Sequence, residues 1–233
     1  MHEPHTHKSY DAELSRLGQE LEAMGEAAAQ QLEAALIALE QRDTEAAERV
    51  VASDLAIDRR ESEVSHDVLR LLALRQPVAR DLREVLAALR IASDIERVGD
   101  LGANLAKRCR VLNTLPLVPA AAGLRPLAEF AQRQLRDVLR AYVQRDVALA
   151  IAVRERDAEL DRLHTELFRA LIAWMGEDST HIGAGTHLLF IAKNIERIGD
   201  HATNIAENVW FIEHGETPLE AREKRDASSS VRD

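Results

Sequence analysis

Residues 91–106 read IASDIERVGDLGANLA, and residues 191–206 read IAKNIERIGDHATNIA. Ile91, Ala92, Ile95, Glu96, Arg97, Gly99, Asp100, Asn104 and Ala106 each recur 100 positions later. A repeated segment that carries carboxylates means two similar folding units, each bearing the same surface feature. Any function must therefore be argued from a pair.

The duplication extends upstream. Gln41-Arg42-Asp43 returns as Gln144-Arg145-Asp146, Gln31-Leu32 as Gln134-Leu135, and Asp54 and Asp58 as Asp157 and Asp161, all 103 positions apart. The offset falls to 100 at the repeated motif, so the second unit has lost three residues in between, as a loop would. Each unit is about three elements long, and two copies of roughly 100 residues match ordinary domain sizes. The period is too long for a solenoid array.

Composition points to an all-α fold. Ala, Leu, Arg and Glu dominate, all strong helix formers, and aromatic residues make up only 3%. The pattern predicts six long helices at about 9–42, 44–74, 78–111, 124–145, 147–175 and 179–214. Pro77 suits the first turn of the third helix. Asp43, and Ser179 or Asp178, read as N-caps. Asn113–Gly123 breaks the pattern and reads as a linker, with a hinge near Leu112 to Gly123. It divides a first three-helix domain, 9–112, from a second, 123–214, and leaves 215–233 as a polar, flexible tail. MHEPHTHKSY has histidines that could hold metal weakly, but it reads as a frayed N-terminal tail.

On a wheel of the third helix, Ala88, Ile91, Ile95, Val98, Gly102 and Leu105 fall in one apolar stripe about 100° wide. Gly99 lies at its edge. Glu96, Asp100 and Asn104 climb a different face, one turn apart. Gly99 and Gly199 each cost about 1 kcal/mol against Ala in a helix. Close approach of a neighbouring helix would account for them.

The formal net charge is −10, which argues against direct nucleic-acid binding, since that needs a basic face. The single cysteine, Cys109, excludes an internal disulfide and suits a reducing cytoplasm. No stretch is apolar enough for a membrane span or a signal core.

The chemistry on offer is carboxylate. Glu96/Asp100 and Glu196/Asp200 sit at i and i+4, where like charges repel. The second helix repeats the device with Asp54, Asp58 and Glu61. The fifth has Asp157, Asp161 and, in the Glu61 position, His164. If the helices of a unit pack with these faces adjacent, four or five oxygens converge on a place for Mg²⁺, Mn²⁺, Fe or Zn²⁺. The alternative is a solvated acidic face. Arg97 and Arg197 read as ion-pair partners rather than anion ligands.

Enzymatic readings fare poorly. Di-iron bundles use Glu-x-x-His on two helices, and Glu63-Val-Ser-His66 and Asp161-Arg-Leu-His164 approach that pattern. At an offset of 103, however, Glu63 and His66 map to Glu166 and Arg169, so the pair is out of register. His66 reads as a helix-surface or interface residue. His181-Ile-Gly-Ala-Gly-Thr-His187 lacks the strand and spacing of a phosphate loop. No nucleophile has an activating base nearby in sequence.

The chain resembles the PhoU family of phosphate-specific transport accessory proteins from about Tyr10 to Gly215. The resemblance rests on Tyr10-Asp-Ala-Glu-Leu14, Arg75-Gln76-Pro77 with Asp81-Leu82-Arg83, both Ile-Glu-Arg-x-Gly-Asp copies, Met175-Gly-Glu-Asp-Ser179 and Asn204-Ile-Ala-Glu207. It implies two pseudo-symmetric three-helix bundles and no catalysis. It also implies a cytoplasmic, homodimeric negative regulator of phosphate uptake and of the phosphate-starvation response, reaching the membrane only through partners. Those partners would be the phosphate ABC transporter, through its ATPase subunit, and the phosphate sensor histidine kinase. By the same resemblance, iron or zinc clusters would sit on Asp54, Asp58, Glu96 and Asp100 in the first unit and on Asp157, Asp161, Glu196 and Asp200 in the second. Asn104 and Asn204 continue those lines. Asn194 opposite Asp94, and His164 opposite Glu61, depart from equivalence. A metal-binding or metal-storage protein with no role in phosphate signalling is the competing expectation.

Overall fold

The computed structural model describes residues 4–116 and 118–216. Six helices run in order: α1 (Pro4–Gln41), α2 (Thr44–Arg75), α3 (Ala79–Leu112), α4 (Leu124–Gln144), α5 (Val147–Glu177) and α6 (Ile182–His214). Short 3₁₀ turns at Pro119–Gly123 and Ser179–His181 precede α4 and α6. The described residues contain no strand, and no helix among them is long and apolar enough to cross a membrane. The fold is all-α, as the composition predicts. The stretch expected to fray at the N-terminus is helical from Pro4. Most of the expected C-terminal tail lies outside the described residues.

The duplicated Gln-Arg-Asp is a helix–turn–helix device. Gln41 and Gln144 end their helices, and Arg42 and Arg145 take the left-handed conformation, each with φ 56°. Asp43 and Asp146 then turn extended and cap the next helix, accepting from Ala46 N and Leu149 N, both at 2.9 Å. A left-handed non-glycine residue costs about 1–2 kcal/mol, and each guanidinium gives something back. Arg42 donates to the carbonyls of Asn113 and Leu115, both at 2.6 Å, pinning the connection between the units. Arg145 pairs with Glu84 of α3 at 2.8 Å.

Two local expectations change. Pro77 does not open α3, whose N-cap is Val78. It follows the left-handed C-cap of α2, Gln76, where a proline stops a helix that it cannot continue. Asp178 rather than Ser179 is the cap near α6, and it serves the 3₁₀ turn by accepting from Thr180 N at 2.8 Å. The three residues missing from the second unit fall around these same connections.

α3 and α6 pack antiparallel: Arg83 reaches the Ile212 carbonyl near one end, His201 meets Asp94 in the middle, and Arg108 meets His187 near the other end. α1 and α4 are antiparallel too, with Arg136 on Glu26 and Arg125 on Glu33. α1, α3, α6 and α4 thus form a closed ring, with α2 lying on α1 and α3, and α5 on α4 and α6. The predicted stripe of α3 is buried. Ala87, Ala92, Leu101 and Ala103 are buried as well, because α3 meets α6 in addition to its own bundle. Apolar residues of both units form one continuous core, and Leu115, Val118 and Ala121 of the connecting segment pack against it.

Losing an N-cap of this type costs about 1 kcal/mol. Asp43→Ala and Asp146→Ala are expected to lower the unfolding free energy by about that much each. The two sites share no partner, so the double variant should lose about 2 kcal/mol, read from urea unfolding.

Candidate functional site: two acidic faces at glycine crossings

In each unit the middle helix crosses the third at the glycine of the repeated motif. A Cβ on Gly99 would stand 2.9 Å from Ile57 Cδ1 and 3.2 Å from Asp54 Oδ1. On Gly199 it would run into Leu160 Cδ2 and stand 2.9 Å from Asp157 Oδ1 and 3.1 Å from Gln134 Oε1. Only glycine lets the aliphatic side chain and the aspartate of the middle helix seat against the third. The first helix completes the crossing. Gln31 Nε2 donates to Asp54 Oδ1 at 3.0 Å and to the Gly99 carbonyl at 3.1 Å. Its counterpart Gln134 is equally buried, donating to the Val153 carbonyl at 3.4 Å. The glutamines were visible as repeats, but their role depends on a helix distant in sequence.

In the first unit, Asp54, Asp58 and Glu61 of α2 and Glu96 and Asp100 of α3 are all half-buried. Burial pushes the Asp54 carboxyl above its ordinary value. The Gln31 hydrogen bond opposes this, and the charges of Asp58 and Asp100 add to it. Burial likewise raises Glu96; Asp100 reinforces the shift, Arg97 opposes it, and Asp58 and Glu61 add to it. These carboxylates therefore share one electrostatic site. Arg97 is an ion-pair partner, 3.2 Å from Glu96 and 2.7 Å from Asp100. Asn104 lies exposed one turn on, accepting from Lys107 at 3.4 Å.

The second unit encloses the same cluster. Asp157, Asp161 and Glu196 are each 2% exposed and His164 1%; Asp200 is half-buried. Burial raises the Glu196 carboxyl. The Lys193 hydrogen bond opposes this, Asp200 adds to it, and the Lys193 and His164 charges oppose it. Lys193 Nζ stands 2.8 Å from Glu196 Oε2. Asn204 turns its amide toward α3, donating to Asp94 Oδ1 at 3.1 Å beside His201 Nδ1 at 2.9 Å. That carboxylate–histidine–amide contact joins the two units and has no counterpart in the repeat pattern, because Asn194 replaces the aspartate. Arg197 is exposed.

Among the described residues, no three His, Cys, Asp or Glu side chains close into a set that could hold a metal ion. Carboxylates of the first face are drawn onto Arg97, and one of the second onto Lys193. Cys109 is buried, and burial pushes its thiol up to about 12, so it is neither a ligand nor a nucleophile at neutral pH. His66 is an exposed residue of α2.

Two antiparallel three-helix units, each with an acidic face at a glycine crossing, define a duplicated helical-bundle protein. The family model for the PhoU domain matches residues 21–109 and again 124–209. The chain belongs to the PhoU family. It is 55% identical to the phosphate-specific transport system accessory protein PhoU homolog of Xylella fastidiosa strain 9a5c, covering 97% of this chain and 96% of that one. It is 42% identical to the Rhizobium meliloti homolog of the same name, over 99% and 98%. The crystal structure of PhoU from Pseudomonas aeruginosa superposes with a TM-score of 0.84 at 32% identity, covering 89% of this chain and all of that one. The phosphate transport system regulatory protein PhoU from Streptococcus pneumoniae gives a TM-score of 0.83 at 30% identity, over 91% of this chain.

The glycine crossing separates two substitutions. Overpacking a filled core costs about 1–3 kcal/mol, against about 1 kcal/mol gained in helix propensity. Gly199→Ala should therefore destabilise. Gly102→Ala, whose nearest neighbour would be at 3.6 Å, should be neutral or stabilising in the same thermal unfolding assay. Glu196 gives a pH signature. Because its folded-state value is raised above 4.5, the folded chain holds the proton more tightly than the unfolded one. Its contribution is fully present below the unfolded value and lost as pH rises through the folded value. Glu196→Gln should raise the urea midpoint at pH 7.5, an advantage that disappears near pH 4; an equal effect at both pH values would contradict this.

Proposed function

We propose that this protein is a negative regulator of phosphate uptake and of the phosphate-starvation response, acting as an adaptor between the phosphate ABC transporter and its sensor histidine kinase. One observation carries this reading. Both repeats match the PhoU domain, and relatives aligned over nearly the whole chain are named accessory proteins of phosphate-specific transport. The transporter's ATPase subunit and the kinase are the partners, with the protein acting as a cytoplasmic homodimer that reaches the membrane through them. A single unpaired cysteine and the absence of an apolar spanning helix among the described residues accord with that setting. The reading is of a regulator and not of an enzyme.

Coupling by contact needs a platform with two addresses. Two related units locked around a common core supply related but unequal faces. A partner shifts the equilibrium only by binding one state better than the other. Iron or zinc, and less readily Mg²⁺ or Mn²⁺, would add at the acidic faces, on Asp54, Asp58, Glu96 and Asp100 and their repeats, once the side chains leave their present pairings.

The test is alkaline phosphatase activity in a strain lacking the gene, grown in high phosphate, with and without a plasmid copy. High activity that the plasmid returns to a low level is the expected result. Activity that stays low in the deletion strain would contradict the repressor role and favour metal handling.

A further inference from the structure

Arg108 of α3 is a half-buried guanidinium with no carboxylate partner among the described residues. Its Nη1 lies 3.3 Å from His187 Nδ1 of α6, and its Cζ stands 4.2 Å over the Phe190 ring. Burial alone shifts the guanidinium below its ordinary value, with no acid to offset it. Comparable arginines are matched: Arg75 pairs with Glu13, Arg125 with Glu33 and Glu40, and Arg154 with Glu207. A charge drawn out of water costs free energy unless it is paired. Arg108 is therefore a cation short of a counter-ion.

The surface around it is apolar and basic, in a chain whose net charge is −10. Phe190 is 51% exposed; Val111, one turn along α3, is 41% exposed, and Ile182, two turns back along α6, 53%. Lys107, next to Arg108, is exposed and donates to the neutral amide oxygen of Asn104 at 3.4 Å. Arg110, by contrast, is taken by Glu48. Burial, and then the charge of Arg108, hold the His187 imidazole below its ordinary value. It is neutral at pH 7 and supplies no negative charge.

We propose that the end of the α3–α6 seam around Arg108 and Phe190 is a docking surface for an acidic segment of a partner protein that also carries an apolar side chain. A carboxylate of that segment pairs with the Arg108 guanidinium, whose fork suits a carboxylate while its face stays on an aromatic ring. The apolar side chain covers Phe190 and Val111. An inorganic anion would neutralise Arg108 but leave those side chains in water, so the apolar exposure favours a segment over an ion. Arginine and aromatic anchors are also the residues that concentrate binding energy at interfaces. The surface goes beyond the adaptor reading and does not depend on it.

The experiment measures fluorescence anisotropy of short labelled peptides mixed with the full-length chain. One peptide alternates Glu with Phe and Leu; a second has Gln for every Glu, and a third has Ser for every Phe and Leu. The first should bind, and Arg108→Gln or Phe190→Ser should weaken it by at least about tenfold. Arg133→Gln, which removes the cation of another arginine–phenylalanine contact, Arg133 over Phe130 at 5.5 Å, should leave binding unchanged. If Arg108→Gln does not fold, Phe190→Ser, at an exposed position, is read alone. No binding of the first peptide, or equal binding by the folded variants, would overturn the proposal. Equal binding of the Gln peptide would remove the role of charge. Equal binding of the Ser peptide, or its displacement by inorganic phosphate at the same concentration as the first, would reduce the surface to an anion site. Sedimentation that shows a parent dimer broken by Phe190→Ser would give the face to a second copy of the chain instead.

Discussion

The antiparallel packing of α3 on α6 is the contact from which the rest follows. On α3, Ala87, Ala92, Leu101 and Ala103 are buried at this contact, beside the stripe that faces its own bundle. This packing makes two three-helix units into one body with a shared core. It also places the polar contacts of the seam. Asp94, His201 and Asn204 meet near its middle, and Arg108 stacks 4.2 Å over Phe190 toward one end. The α1–α4 pairing closes the ring with Arg125 between Glu33 and Glu40 and Arg136 on Glu26.

From that frame, the acidic faces are a consequence of helix crossing. A glycine on α3 or α6 brings the neighbouring helix close, and the aspartate beside the contact loses water. Asp54, Glu96 and Glu196 are held above their ordinary affinity for protons, by burial first, with neighbouring carboxylates adding to it. The first unit leaves the cluster near solvent. The second buries Asp157, Asp161 and Glu196, with Leu160 against Gly199. Identical motifs therefore face different dielectric surroundings, and a symmetric sequence yields two unequal sites.

The repeat carried much of this openly. The offsets of 103 and 100 located three helices per unit and the shortened connection, because helix positions tolerate no slippage without rotating their buried face. Gln41-Arg42-Asp43 showed that something local recurred, and the structure gives it a left-handed arginine followed by a capping aspartate. Spacing put Asp54 with Asp58, and Glu96 with Asp100, on one face of their own helices; which faces meet is decided by the crossing at Gly99. Gln31 could not be placed there, because nothing in a helix wheel says which partner a buried amide will meet. Asn204 was read as continuing the carboxylate line, yet its exposed amide reaches across to Asp94 of α3.

What the sequence determined by itself was periodic or local: six amphipathic helices, their caps, the duplication and a line of carboxylates on each unit. Propensity, capping and 3.6-residue spacing act over a few turns and leave their mark within them. Only the tertiary structure decided that the units share one core, which side chains meet Gly99 and Gly199, and that one acidic cluster is open while Asp157, Asp161, His164 and Glu196 of the other are enclosed. Those outcomes depend on which helix covers which face. That is set by long-range packing and by the loss of water between residues far apart in the chain.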